Sequence, residues 1–130
     1  VTPAAVALTA RSGGSVLRRD VFARVPAPGR WRTGLLADGN IGIGGDPVAL
    51  LDRAYALLAP DGQVVADVDP PGHGLRRTRV RLRTATATGH WFPWASVGAD
   101  ELPRVAARAG FAVAELGTEA GRWLATLRRR

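Results

Sequence analysis

Apolar and polar positions along the chain repeat with two periods, and the switches between them mark out its elements. Pro3-Ala4-Ala5-Val6 behind Thr2 predicts a helix with a Thr cap and Pro at the first position, where the missing N–H costs nothing. It runs to about Arg11 and ends at Gly13-Gly14. Ser15 to Arg18 is a short strand candidate, Asp20-Val21-Phe22 a turn, and Pro26, Pro28 and Gly29 a loop. Thr33 to Ala37 predicts a buried strand running into a glycine-rich loop, Asp38-Gly39-Asn40-Ile41-Gly42-Ile43-Gly44-Gly45. Asp46-Pro47 then opens a second helix, with Val48, Leu51, Tyr55 and Leu58 as its buried stripe and Pro60-Asp61-Gly62 as its stop. Val64 to Val68 is the next apolar strand, ending at Asp69-Pro70-Pro71, with Asp67 and Asp69 as the acids that close it. Strand, helix and strand in this order predict two parallel strands joined by a crossover.

Beyond this unit the period changes to two. Thr78, Val80, Leu82, Thr84 and Thr86 alternate with Arg77, Arg79, Arg81 and Arg83, which predicts a strand from Arg76 to Thr88. His90-Trp91-Phe92-Pro93-Trp94 is an aromatic loop. A third helix is expected from about Glu101 to Ala109, with Asp100 as cap, Pro103 in the first turn, and Leu102, Val105, Ala106 and Ala109 on one face. Alternation from Phe111 to Leu116 and from Arg122 to Arg128, about a turn at Gly117 to Gly121, predicts a terminal hairpin. No linker and no internal repeat interrupts the series, so the 130 residues form one α/β domain.

Composition narrows the picture only in places. No apolar run approaches the roughly 20 residues of a membrane helix, and the first ten residues lack a secretory pattern. Without cysteine there is neither a disulfide framework nor a thiolate metal site, and a cytoplasmic location is the expectation. The net charge is +7, carried by 18 arginines without a lysine. That one-sided usage, beside abundant Ala and Gly, points to GC-rich coding more than to phosphate contacts, so a nucleic-acid partner is disfavoured. No methionine occurs, and the expectation is that Val1 marks a cut or a misplaced start.

Four local stretches carry a resemblance to the class I S-adenosylmethionine-dependent methyltransferases. Thr2-Pro3-Ala4-Ala5-Val6 resembles the helix after that family's second strand, and Arg19-Asp20-Val21-Phe22 its adenine-contacting turn. Leu35-Leu36-Ala37-Asp38-Gly39-Asn40 resembles the exit of its fourth strand, and Leu57 to Val64, with Pro60-Asp61-Gly62, the approach to its fifth. The resemblance covers nearly the whole chain. It implies a Rossmann-like methyltransferase sheet, mostly parallel with a C-terminal antiparallel hairpin and incomplete at the N-terminus. The family's first glycine-rich loop and the ribose-binding acid would fall before Thr2, so this 130-residue chain is expected to bind S-adenosylmethionine weakly or not at all. It also implies S-adenosylmethionine as cofactor and a small-molecule acceptor.

Candidate site residues follow from the resemblance, each beside a plainer alternative. Asp20 and the Val21 amide are placed by it against the adenine; a turn aspartate also bonds its own backbone. Asp38, Gly39 and Asn40 end a strand where irregular backbone can reach a ligand, and are assigned to the donor or to orienting the acceptor. His73 is a candidate general base, although loop histidines are more often solvated, and the same holds for His90. Trp91, Phe92 and Trp94 can wall an acceptor pocket or simply pack; Trp91, Trp94 and His90 are the acceptor-side candidates. Arg77, Arg79, Arg81 and Arg83 read more readily as a solvated strand edge than as an anion grip. The histidines lack metal-ligand spacing, so no metal is expected.

Three rivals remain at this stage. A non-catalytic remnant would self-associate through open sheet edges. A basic nucleic-acid module would bind with strong salt dependence. A nicotinamide-dependent enzyme fits the terminal hairpin less well.

Overall fold

The computed structural model describes residues 3–130, so Val1 and the Thr2 cap lie outside the described residues. Helix α1 (Pro3–Arg11) forms as expected and ends at Gly13, whose φ of 79° suits glycine. It buries no residue, so no apolar stripe ties it to a core. Ser15 to Arg18 forms no strand. A strand exists through its ladder, and among the described residues nothing pairs with this segment; Leu17 stays half exposed.

Strand β1 (Trp31–Leu36) leads through a 3-10 turn (Asn40–Gly42) into α2 (Pro47–Leu57), and β2 (Leu58–Val68) follows at once. β1 and β2 pair in parallel, as the strand–helix–strand pattern predicts. Pro60-Asp61-Gly62 is not a separate stop. The helix ends at Leu57, and the three residues make a bulge in β2, where the register jumps from Trp31 opposite Leu58 to Thr33 opposite Gln63. On α2, Leu51 is buried and Val48 and Tyr55 pack half-buried against the core, while Leu58 belongs to β2. Leu50 and Leu57 are buried as well.

The cap on α2 is Asp46, whose Oδ1 accepts from the Val48 and Ala49 amides at 3.1 and 3.2 Å. The Ala49 amide, with the Arg77 guanidinium 3.4 Å away, holds this carboxyl below its ordinary value despite partial desolvation. A lowered folded value means that the contribution is complete above the unfolded value and disappears as the pH falls through the folded one. Asp46→Ala should cost about 1 kcal/mol at neutral pH. Asp46→Asn should keep the cap but remove its acid sensitivity, as thermal melts from neutral pH down through the carboxylate range will report.

Strands β3 (Leu75–Val80) and β4 (Phe92–Val97) form a separate antiparallel pair. Two expectations change here. The strand expected from Arg76 to Thr88 stops at Val80, because β4 is only six residues long and because Thr84 Oγ1 captures the Ala87 amide at 3.0 Å to form a turn. The aromatic loop is largely strand: Phe92 and Trp94 lie in β4 opposite Val80 and Thr78, and only His90 and Trp91 precede it.

Helix α3 (Leu102–Arg108) buries the expected Leu102, Val105 and Ala106, with Ala109 just beyond it. Its cap position is Glu101 rather than Asp100, and the Glu101 carboxylate pairs with Arg104 instead of an amide. Strands β5 (Phe111–Glu119) and β6 (Arg122–Arg129) make the hairpin, tightened at Ala120-Gly121. The main sheet has the order β1-β2-β6-β5. Because β6 is antiparallel to both neighbours, β1, β2 and β5 point one way and β6 alone opposes them. The core lies between this sheet and α2 and α3, around Leu51, Val64, Leu102, Phe111 and Leu127. β1 is an edge strand, and its Leu35 is 68 % exposed.

Candidate functional site

Parallel pairing puts the carboxyl ends of β1 and β2 side by side, and an antiparallel β6 must then begin at that same end. Three sequence-distant segments thereby converge: Asp38-Gly39 after β1, Asp67 to Asp69 at the end of β2, and Arg122 at the start of β6. With Ile41 and residues Trp94 to Val97 of β4 they line a cleft of about 430 Å³. Open α/β sheets bind ligands outside the carboxyl ends of their strands, which is where this cleft lies.

The corner after β1 is held by backbone as much as by side chains. Asp38 and Gly39 both have positive φ, 54° and 73°, so the chain reverses sharply out of the strand. Ile41 is buried, and Gly42 presses so closely on β4 that an added Cβ would lie 1.8 Å from the Ala95 carbonyl oxygen. Gly42, Ile43 and Gly45 of this loop thus pack on β4. Gly44 lies against the Phe22 ring, where a Cβ would come within 2.9 Å, so the 20–23 turn docks on the same loop.

Arg122 is the electrostatic centre. Its Nε and Nη2 both donate to Asp67 Oδ2, and Nη2 also donates to Asp38 Oδ1. These two carboxylates, Asp67 foremost, hold the guanidinium above its ordinary value. Asp69 lines the cleft nearby, with its carboxylate 3.9 Å from His73 Nδ1.

The candidates are only partly gathered. Asp38, Gly39 and Trp94 line the cleft, with Trp94 edge-on to Phe92 at 6.1 Å between centroids. Asn40 starts the 3-10 turn immediately behind. His73 reaches the cleft through Asp69 and is not itself part of the wall. Asp20 Oδ1 accepts the Phe22 amide at 2.9 Å, closing its own turn. Arg53 of α2 ties that turn down through the Val21 and Ala23 carbonyls. Val21 faces a second, apolar groove of about 320 Å³ between the 17–25 segment, β1 and α2. Trp91 is 54 % exposed under the Arg81 guanidinium, and His90 is exposed. Among the described residues no group of three or more His, Asp or Glu is placed to hold a metal. No helix among them is long and apolar enough to cross a membrane.

Arg122 and Ser96 are site residues that sequence reasoning missed. Asp67 and Asp69 are legible as acids closing an apolar strand. Arg122 becomes visible only when the hairpin register sets Trp123 opposite Val68.

No protein-family model matches the sequence, and no curated protein matches it either. Solved structures do match in fold. A methyltransferase from Bacteroides fragilis, solved with S-adenosyl-L-homocysteine, is 20 % identical with a TM-score of 0.71, over 99 % of this chain and 60 % of its own. The 1,6-didemethyltoxoflavin-N1-methyltransferase of Burkholderia thailandensis, solved with its substrate and S-adenosylhomocysteine, is 19 % identical with a TM-score of 0.65, over 99 % of this chain and 57 % of its own. An O-methyltransferase of neocarzinostatin biosynthesis, holding S-adenosyl-L-homocysteine and 1,4-dihydroxy-2-naphthoic acid, is 20 % identical with a TM-score of 0.62, over 98 % of this chain and 38 % of its own. The chain therefore spans less than two thirds of the length of these structures.

Proposed function

On the fold of the class I S-adenosylmethionine-dependent methyltransferases, which this chain shares, we propose that the cleft takes S-adenosylmethionine and that the protein transfers its methyl group to a small-molecule acceptor. The observation that carries this reading is the convergence of Asp38-Gly39, Asp67 to Asp69 and Arg122 on one cleft at the carboxyl ends of β1 and β2. The residues present fit the amino-acid end of the donor. Asp38 is an exposed carboxylate at the rim, suited to an ammonium group, and Gly39 permits close backbone approach. The adenine end is assigned to Asp20 and Val21, which lie outside the cleft itself, in a turn fixed by Arg53 beside the same glycine loop. When bound, the donor supplies an electrophilic methyl on a sulfonium.

The chain's own part in such a reaction is mainly to hold two reactants in line. Trp94 belongs to the cleft wall, and an indole there supports a planar acceptor, as do the acceptors bound in two of the similar enzymes. His90 and Trp91, just ahead of β4, are assigned to the outer acceptor contacts. Asn40 is assigned to orienting the nucleophile. His73, with Asp69 beside its Nδ1, is assigned the acceptor proton.

The test is a backbone-amide NMR titration with S-adenosylhomocysteine to millimolar concentration, which registers weak binding. Shifts at Gly39, Asn40 and Asp69 and at the Trp94 indole are expected. Of weak binding and none, the two outcomes the sequence allows, the proposal requires the first, and a spectrum unmoved at that concentration disposes of the donor assignment.

A second reading is self-association through β1. Its free ladder edge and exposed Trp31 and Leu35 favour it. Sedimentation velocity should then show dimers that grow with concentration, and a clean monomer throughout would count against it. Arg53, Arg77, Arg79, Arg122 and Arg129 each donate to a carbonyl or carboxylate of the protein itself, which weighs against reading these five as a phosphate-binding face.

A further inference from the structure

Asp38 poses a problem for any ligand that depends on it. It is 80 % exposed on a left-handed corner, and an exposed carboxylate there loses rotamer freedom each time it binds. One neighbour removes that freedom. Arg122 reaches across from β6 and donates Nη2 to Asp38 Oδ1. The guanidinium is itself fixed, because Nε and Nη2 both donate to Asp67 Oδ2, and Asp67 is only 13 % exposed. A planar guanidinium whose Nε and Nη2 are held by a nearly buried carboxylate presents the second N–H of Nη2 in a set direction. Among the described residues, Asp38 Oδ2 makes no hydrogen bond, and Asp38 lines the cleft.

We propose that Arg122 is a positioning residue of the donor site: anchored on Asp67, it fixes the Asp38 carboxylate so that the second oxygen accepts the donor's α-ammonium. The proposal rests on the donor reading given above and adds a residue from the far end of the sequence to it. The order of action is β2 to β6 to β1, with Asp67 holding Arg122 and Arg122 holding Asp38. In this role Arg122 acts through Asp38, at the amino-acid end of the donor. A lysine at this place keeps the charge but loses the fork, and cannot serve both carboxylates in one plane.

Two probes separate positioning from general support of the fold. S-adenosylhomocysteine has the amino-acid end, and 5′-methylthioadenosine lacks it. Arg122→Gln should weaken S-adenosylhomocysteine about tenfold and leave methylthioadenosine within about twofold, the size of one charge-assisted hydrogen bond. Arg122→Lys should recover part of the loss, and it carries the same comparison should the Gln variant fail to fold. Asp38→Asn combined with Arg122→Gln should bind S-adenosylhomocysteine no more weakly than Asp38→Asn alone. Unchanged affinity in Arg122→Gln, an equal loss for both probes, or additive losses in the double variant would overturn the proposal. If the unmodified protein bound neither probe, the donor reading itself would fall and the proposal with it.

Discussion

Gly42→Ala is expected to lower the unfolding free energy by about 3 kcal/mol or more. The added methyl would sit 1.8 Å from the Ala95 oxygen, 2.8 Å from its carbonyl carbon and 2.9 Å from Trp94 Nε1. Two of these atoms belong to the backbone of β4, whose Ala95 and Val97 are buried, so no rotamer change can relieve the contact. Either β4 moves away from the glycine loop or the loop lifts off the core, carrying Ile41 with it. Gly39→Ala is the control. Its φ of 73° also suits glycine, but an added Cβ meets nothing within 4 Å, and only the left-handed strain of about 1 kcal/mol remains. Urea unfolding of the two variants should therefore differ clearly, and in Gly42→Ala the Trp94 indole signal should shift. Equal and small losses in both would show that the loop does not bear on β4 as described.

That contact also explains which parts of the fold are legible in the sequence. The cap at Asp46, the stripe on α3 and the existence of the terminal hairpin are local signals that the structure keeps, although β5 runs on through the expected turn residues Gly117 and Thr118 to Glu119. A strand is different, since it needs a partner that local pattern cannot supply. Ser15 to Arg18 has strand composition and no neighbour, and remains irregular. Arg81 to Thr88 continues the alternation but lies beyond the end of β4, so the ladder stops at Val80. Phe92 to Trp94 carries a proline and two large aromatics, which read as loop, yet pairs with β3 because that strand is there to receive it. Alternation sets which face a residue takes, and pairing decides whether a strand exists.

The candidate site divides along the same line. Asp38 and Gly39 are visible because a strand runs straight into glycines, and Asp67 and Asp69 because they close an apolar run. Arg122 looks like one more arginine beside a turn. Its role depends on β6 lying next to β2 with Leu124 opposite Asp67, a pairing between residues far apart in sequence. The turn at Asp20 shows the opposite limit. Its hydrogen bonds to itself are readable from the residue types, whereas its place beside Gly44 is set by Arg53, a residue on the polar face of α2 that periodicity treats as surface. Sequence pattern thus finds what each tip of the sheet carries, and the sheet order finds what the tips do together.

Phe111→Ala should be the most destabilising single truncation in the core, at about 3–5 kcal/mol. Phe111 is fully buried at the start of β5, directly after Gly110, whose φ of 80° turns the chain out of α3. Its ring meets Tyr55 of α2 edge to face, with centroids 5.5 Å apart and planes at 77°. The Arg129 guanidinium covers the same Tyr55 ring at 3.8 Å and donates to the Leu58 carbonyl. Removing the phenyl group therefore leaves a void where α2, α3 and both strands of the hairpin meet, and frees Tyr55 on one side. Domains of this kind are stable by about 5–15 kcal/mol in total, so the Ala variant should unfold at a much lower urea concentration or fail to fold. Phe111→Leu retains most of the volume and should cost less than about 1.5 kcal/mol. This corner lies at the end of β6 remote from Arg122, which gives the comparison a second use. In Phe111→Leu the amide signals of Gly39, Asn40 and Asp69 should stay where they are while the melting temperature falls, separating the stability of the sheet from the geometry of the cleft. An Ala variant melting within a few degrees of the parent would mean that the core is not organised around this ring.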